Sequence, residues 1–324
     1  MRIAIIGAGP TGSWLAWKLS KLQENVTVIE REMRPGGKAC SGLVSERIWD
    51  FIPRKSRLIQ NKINEIAIHF PKKTIEVKFK QRMLVMDRGK LDAHVVRLAE
   101  NAGARMTFGS TFKGLRKSEK MVRVEFRRNG KTRLEEFDRL IGCDGALSSV
   151  RRSLGLPEPR YRTGLQCFQP VRDSSHTAEA WPTRGGFFWR IPRGKNIEWG
   201  LFETCQRARG TWGVFANKNN LDGLAVQSAI IPEDAITTGN VKVALCGDAA
   251  GLTKPWSGGG LIWGLTSAKL LLDSWPDFGS YESAIRGKFV NRILLGRMVT
   301  RSVNVIGKSL PWVLPRSFDS DWLL

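Results

Sequence analysis

The hydrophobic pattern changes period twice within the first thirty residues. Arg2 to Ile6 is an almost unbroken apolar run that stops at Gly7, the pattern of a strand buried on both faces. From Thr11 onward Leu15, Leu19 and Leu22 recur at the spacing of one helix face, and Val26–Ile29 is a second continuous run. The chain beyond alternates between these two periods. Residues 46–52 predict a short helix, and 63–70 and 74–79 predict two strands of a separate sheet. The run from Met83 to Asp87 then predicts a return to the first domain. A helix is expected over 88–101, with Leu91, Val95 and Leu98 on one face, ended by Gly103-Ala104 and followed by a third parallel strand over 105–108. Val122, Val124 and Phe126 alternate with Arg123, Glu125 and Arg127, and Asn129-Gly130 supplies a two-residue turn, so 121–137 predicts a hairpin. Buried strands are expected at 139–143 and 241–246 and helices at 259–273 and 281–306. The aromatic-rich stretch from 160 to 235 predicts short strands without helices.

This order predicts an α/β protein whose first domain is assembled from separated pieces: 1–60, 83–157 and 238–280. It combines a Rossmann-like parallel sheet with a β-meander. An inserted, mostly antiparallel β-rich substrate domain is expected over 61–82 and 158–237, and a helical C-terminal segment over 281–324.

The first turn carries the chemistry. Gly7-Ala-Gly9-Pro-Thr-Gly12 lies between a strand and a helix, the context in which this glycine spacing binds a dinucleotide. Gly7 permits the tight turn, Gly9 the approach of a pyrophosphate, and Gly12 close helix–strand packing. Glu30 ends the second strand, with Arg31 beside it. Its carboxylate suits a ribose diol and disfavours a 2′-phosphate, which points to FAD or NAD rather than NADP.

Composition narrows the function classes. Five cysteines and three histidines are scattered without metal-ligand spacing, so no metal is expected. No apolar run reaches the ~20 residues of a membrane span, and no leader pattern precedes the first strand; a cytoplasmic protein is expected. The formal net charge of +22 is the unusual total. The densest basic segment, Lys113–Arg133, alternates as a hairpin and carries no nucleic-acid motif. A solvated basic surface or peripheral contact with the anionic inner face of the cell membrane are the readings kept, and nucleic acid is not expected.

Three motifs in order, Gly7–Gly12 with Glu30, Gly142-Cys-Asp144-Gly145 and Gly247-Asp248-Ala-Ala-Gly251, resemble those of the superfamily of FAD-dependent aromatic hydroxylases, halogenases and geranylgeranyl reductases. Lys38-Ala-Cys40-Ser-Gly42 is similar to the cysteine–glycine loop of the geranylgeranyl reductases. The run from Gly247 through Pro255 to Gly258-Gly259-Gly260 resembles their second flavin loop, and Gly186–Gly194 their aromatic–proline strand. The resemblance implies FAD as cofactor, with Asp248 on a ribityl hydroxyl and Gly258–Gly260 opening a helix towards the flavin ring. It further implies Arg88, Asp144 and Gly145 on the pyrophosphate side and Cys40 near the ring, as proton donor or pocket wall. On residue type alone, Asp144 equally suits a helix cap and Cys40 a small packing residue.

Phe168, Trp181, Phe187, Phe188, Trp189, Trp199 and Phe202 are candidates for a channel wall or for ordinary sheet core, and Phe187, Trp189 and Trp256 are taken as substrate contacts. In the 281–306 helix, Arg286, Lys288, Arg292, Arg297 and Arg301 accompany Phe289, Ile293 and Leu294, which suits an anionic membrane surface or plain surface packing. The activity implied is saturation of isoprenoid C=C bonds in a membrane lipid or prenyl diphosphate. Electrons would come from ferredoxin or a transiently docked NAD(P)H, since no second nucleotide motif is present. Two alternatives remain: an oxygen-using monooxygenase or halogenase, because Phe187-Phe-Trp-Arg-Ile-Pro192 is one residue from the halogenase signature, and a non-catalytic lipid-binding scaffold.

Overall fold

The structure is a computed structural model that describes residues 1–117 and 120–321. Ser118 and Glu119 of the basic segment and residues 322–324 of the C-terminal segment lie outside the described residues.

Two successive apolar runs build the centre of the first sheet. β1 (Arg2–Ile6) pairs in parallel with β2 (Asn25–Ile29), and all their residues except the first of each are buried. Between them α1 (Pro10–Lys21) lays Leu15, Ala16 and Leu19 on the sheet with no exposed surface. The Gly7-Gly12 pair makes this packing feasible. Gly7 has φ +102°, and a Cβ on Gly12 would collide with the Gly7 carbonyl and lie 3.0 Å from Cys143 Cβ.

The chain then leaves for a second sheet. β3 (Leu43–Ser45) and β4 (Ile59–His69) flank β5 (Thr74–Met86), which runs unbroken for 13 residues. Met83–Met86 remains in this second sheet. The apolar run Met83–Met86 is the buried half of β5, and its hydrophobic character reflects burial within the second sheet. α2 (Arg88–Asn101) matches the expected helix, with Asp87 accepting from Lys90 N at its start. β6 (Arg105–Thr107) then adds to β2 in parallel.

Next comes a three-stranded antiparallel meander, β7 (Ser110–Lys117), β8 (Val122–Arg128) and β9 (Lys131–Phe137). Asn129 and Gly130 both have positive φ, as the hairpin turn requires. β10 (Arg139–Gly142) returns beside β1, and α3 (Ser149–Ser153) follows.

The aromatic-rich stretch forms β11 (Arg160–Gln169), β12 (Thr177–Pro182), β13 (Phe187–Pro192) and β14 (Ile197–Thr204), then α4 (Cys205–Lys218) and β15 (Gln227–Glu233). α4 corrects the expectation of no helix here. Its helix-neutral residues hide the period, and it forms because Ala208, Trp212 and Ala216, four apart, cover one sheet face. β16 (Val243–Leu245) closes the parallel sheet, whose order is β16-β10-β1-β2-β6. α5 (Leu261–Asp273) packs beside α1. The single helix expected over 281–306 is instead α6 (Phe278–Ile285), a π turn at 286–290 and α7 (Asn291–Ser309). β17 (Ser317–Phe318) pairs with β5. The large sheet is mostly antiparallel, in the order β15-β11-β14-β13-β12-β4-β5-β17 with β3 on β5. The fold is thus the expected α/β arrangement of parallel sheet, meander and β-rich insertion.

Candidate functional site

The first glycine loop and the Gly247 loop meet at one place. β10 and β16 are neighbours, so the turns at their carboxyl ends lie side by side, and Cys246 N donates to the Gly142 carbonyl at 2.9 Å. Thr11 sits between them and α5: a Cβ on Gly247 would lie 3.0 Å from Thr11 Oγ1, and one on Gly264 2.7 Å from it. α1 begins at Gly9 and α5 at Gly260, neither with a side-chain cap nor an acid in its first turn. α2 and α6, by contrast, start on Asp87 and Asp277. Uncapped N-terminal amides with a positive dipole end suit an anionic or electron-rich ligand. In front of Gly9 and Gly145 there is room, since a Cβ at either meets no described atom within 4 Å.

Glu30 is half-buried. Its Oε2 accepts from Ala8 N at 2.7 Å and its Oε1 from Glu32 N at 2.8 Å, which orients the carboxylate and leaves acceptor capacity for a diol. Arg31 lies at the surface, 3.2 Å from Glu32. Asp144 serves as a cap: its Oδ2 accepts from Ser149 N at 2.6 Å and Val150 N at 3.1 Å. The helix it caps starts at Ser149, not Ala146. Burial pushes the Asp144 carboxyl up, and its Oδ1 has no partner among the described residues.

The Cys40 loop is tied down on three sides. Gly36 lies against Gly89 at the start of α2, and Met86 N donates to the Gly42 carbonyl at 2.9 Å. Arg193 Nη1 donates to the Ser41 carbonyl at 2.5 Å, and Lys38 Nζ bonds Asp248 Oδ2 at 2.5 Å. The Asp248 carboxylate beside it holds the Lys38 ammonium above its usual range. Arg88 is almost buried, 3.0 Å from Asp92, and its Cγ lies 3.4 Å from where a Cβ on Gly42 of the Cys40 loop would be. Cys40, Arg88, Lys38 and Asp248 therefore form one cluster.

The second glycine loop is fixed from beneath. Gly258 N donates to the Lys254 carbonyl at 2.8 Å, and Gly251 takes φ +84° against Asp234. A Cβ on Gly260 would lie 2.6 Å from Asp248 Oδ1, so backbone and carboxylate can approach only without a side chain. Lys254 is buried and pairs with the fully buried Asp321, which also accepts from Ser45 Oγ; Lys254 Nζ donates to the Ser320 carbonyl at 3.0 Å. Burial lowers the Lys254 ammonium, with Asp321 opposing it. Pro255 and Trp256 meet α7 at Gly296, and Trp256 stands edge-on to Trp263, ring centres 5.8 Å apart.

The large sheet divides the candidate aromatics by the period of two. Phe187, Trp189 and Phe202 share one face with Gly164, Gly200 and Glu198, and Phe202 reaches the second glycine loop, 2.8 Å from where a Cβ on Gly258 would lie. The Trp189 indole lies flat over Gly200 and donates to Glu198 Oε1 at 2.9 Å. Phe188, Trp199 and Leu201 face the other way and pack under α4, with Trp181 against them. For these residues the sheet-core reading holds. The near-buried pair Arg193–Glu198 joins the two parts of the site, since Glu198 holds Trp189 and Arg193 holds Ser41. Burial raises the Glu198 carboxyl, with Arg193 opposing it. Arg193, Glu198, Lys254 and Asp321 were not among the sequence candidates.

A family model described as FAD binding domain matches residues 1–191. The chain belongs to this family. Geranylgeranyl diphosphate reductase of Rhodobacter capsulatus is 24% identical over 80% of the chain and 71% of its own length. A geranylgeranyl bacteriochlorophyll reductase-like protein of Thermoplasma acidophilum superposes with a TM-score of 0.83 at 19% identity, covering 97% of this chain and 88% of that one. CmlS, a flavin-dependent halogenase, superposes with a TM-score of 0.68 at 18% identity over 94% of this chain and 62% of its own. The protein is thus an FAD-dependent oxidoreductase, and the two uncapped helix starts, the open space before Gly9 and the oriented Glu30 fit that cofactor. Among the described residues there is no cluster suited to a metal ion, and no helix is long and apolar enough to cross a membrane.

Proposed function

We propose that the protein saturates C=C bonds of isoprenoid chains. The observation that carries this reading is the apolar wall of Phe187, Trp189 and Phe202, which meets the second glycine loop at Gly258 while the Cys40 cluster is tethered to the same wall through Arg193 and Glu198. FAD, when bound and reduced by the external electron donor, would supply a hydride to one alkene carbon. Everything else falls to the chain. The Gly7–Gly12 turn, Glu30 and the start of α5 hold the dinucleotide, with Asp248 and Arg88 beside it. The aromatic wall binds a flat, electron-rich alkene and excludes water, which an unactivated double bond requires because it is a poor hydride acceptor. The Cys40 Sγ holds the proton for the second alkene carbon, and Arg88 and Lys38 keep that thiol in place. The electron donor in this reading is ferredoxin or a transiently docked NAD(P)H.

The likeness in name and fold of the Thermoplasma protein, and the sequence similarity to the Rhodobacter reductase, support this choice. The test is anaerobic turnover: dithionite-reduced protein mixed with a geranylgeranyl lipid or diphosphate should gain oxidised-flavin absorbance while the product gains two hydrogens per bond. Flavin that stays reduced until air enters would sink the proposal. One observation favours a second reading, an oxygen-using monooxygenase or halogenase: the Phe187-Phe-Trp189-Arg-Ile-Pro192 strand, one residue from the halogenase signature, on a fold shared with CmlS. Substrate-dependent oxygen uptake would select it.

A further inference from the structure

α7 has an inner and an outer face of different character. Inside, Ile293, Gly296 and Gly307 are buried and Val303 is half-buried. The two glycines bring the helix close to its supports: a Cβ on Gly296 would lie 2.9 Å from the Trp256 ring, and one on Gly307 would collide with Phe70. Arg297 reaches inward to the Glu233 carbonyl. The helix is thus clamped at one end to the second glycine loop and at the other to the large sheet.

Outside, Leu294, Met298 and Val305 recur at i, i+4 and i+11, with Leu295 and Ile306 beside them, and all are exposed: Met298 by 64% and Val305 by 68%. Leu310, Trp312 and Val313 extend the strip beyond the helix, Trp312 at 52% exposure. Exposed apolar residues recurring along one helix face in this way mark an interaction site rather than scattered surface residues. Its margin is basic. Arg301 and Lys308 flank the strip, Arg286 and Arg316 lie beyond its ends, and the sequence has no acidic residue between Glu282 and Asp319.

We propose that this face of α7 docks the protein in the plane of an anionic phospholipid bilayer, its apolar strip among the acyl chains and Arg301 and Lys308 at the headgroups. The charge selects this occupant over a second copy of the chain, because a two-fold contact through the strip would bring the same basic margins of the two copies together. The amphipathic indole of Trp312 suits the interface itself. Docking on this face would bring the bilayer to the helix that clamps Trp256 and the second glycine loop.

The assay is flotation of the FAD-loaded protein with vesicles of phosphatidylcholine alone or mixed with phosphatidylglycerol. It involves no turnover, so its failure would leave the reductase proposal standing. The protein should float with the mixed vesicles at low salt, about tenfold less with phosphatidylcholine alone, and release as salt rises. Met298→Asp with Val305→Asp, and separately Arg301→Glu with Lys308→Glu, should each abolish flotation while the bound-flavin spectrum stays that of the wild type. Wild type that stays at the bottom of the gradient, or a double-aspartate variant that floats equally well, overturns the proposal. So does a concentration-dependent dimer in light scattering that the double-aspartate variant splits, since the strip would then be covered by a second copy.

Discussion

The two faces of the large sheet are made from the same strands and nearly the same residue types, yet they are built to different ends. Under α4, Phe188 stacks on Phe215 with ring centres 3.7 Å apart, and Trp199, Leu201 and Cys167 fill the space around them. That face is a dry core. On the opposite face Trp189 covers Gly200 and Ile231 lies against Gly164, and the strands bury the Arg193–Glu198 pair, an arrangement worth little to stability. Aromatic content therefore does not distinguish a pocket wall from a core. What sets the proposed substrate wall apart is a buried charge pair that holds both Ser41 and Trp189.

The largest effect should come from breaking that charge pair. Glu198→Leu leaves Arg193 buried and unpaired and should cost about 3–5 kcal/mol in denaturant unfolding. Adding Arg193→Met should restore most of that stability while turnover stays low, because Ser41 and Trp189 lose their tethers. If the double variant turned over normally, the pair would be structural only. On the other face, Trp212→Ala should cost about 3 kcal/mol by opening the core under α4, and the folded fraction should keep its flavin spectrum. Gly200→Ala is a smaller and more pointed change. Its methyl would displace the Trp189 indole, costing about 1–3 kcal/mol but slowing alkene reduction out of proportion to that loss.

The mildest test is chemical. Burial pushes the Cys167 thiol up to about 11, and Glu198 nearby adds to it. Its folded value lies above its unfolded one, so the stability it contributes is complete below about pH 9 and lost as pH rises through about 11. Exposed Cys205 should react with iodoacetamide near pH 8, and Cys167 only after unfolding. Early loss of Cys167 would show that the α4 face is not dry.

The parts of this protein that could be read from sequence are those governed by local pattern. The apolar runs of β1 and β2, the glycine turn and the Asn129-Gly130 hairpin each follow from a few neighbouring residues. What escaped depends on distant partners. α4 has no strong period of its own and exists because Trp212 and its neighbours cover a sheet face. Met83–Met86 resembles any buried strand, and only its pairing with β3 and β4 assigns it to the large sheet. Arg193, Glu198, Lys254 and Asp321 carry no motif and become meaningful once folding buries them against one another. Asp144 was legible both ways, as a ligand group or as a cap, and Oδ2 bonds Ser149 and Val150 at the start of α3 while Oδ1 has no partner among the described residues.

The most direct test compares the two faces by their effect on the reduced flavin. Wild type, Trp189→Ala and Phe188→Leu, each reduced anaerobically, would be mixed with a geranylgeranyl lipid and followed by flavin absorbance, with reoxidation in air as a control. Trp189→Ala should slow alkene-driven reoxidation at least about tenfold, a loss of about 1.4 kcal/mol in transition-state stabilisation, while its reaction with air is unchanged. Phe188→Leu should react at close to the wild-type rate. Equal rates for wild type and Trp189→Ala, or a greater loss in Phe188→Leu, would contradict the assignment of the substrate to the Phe187–Trp189–Phe202 face.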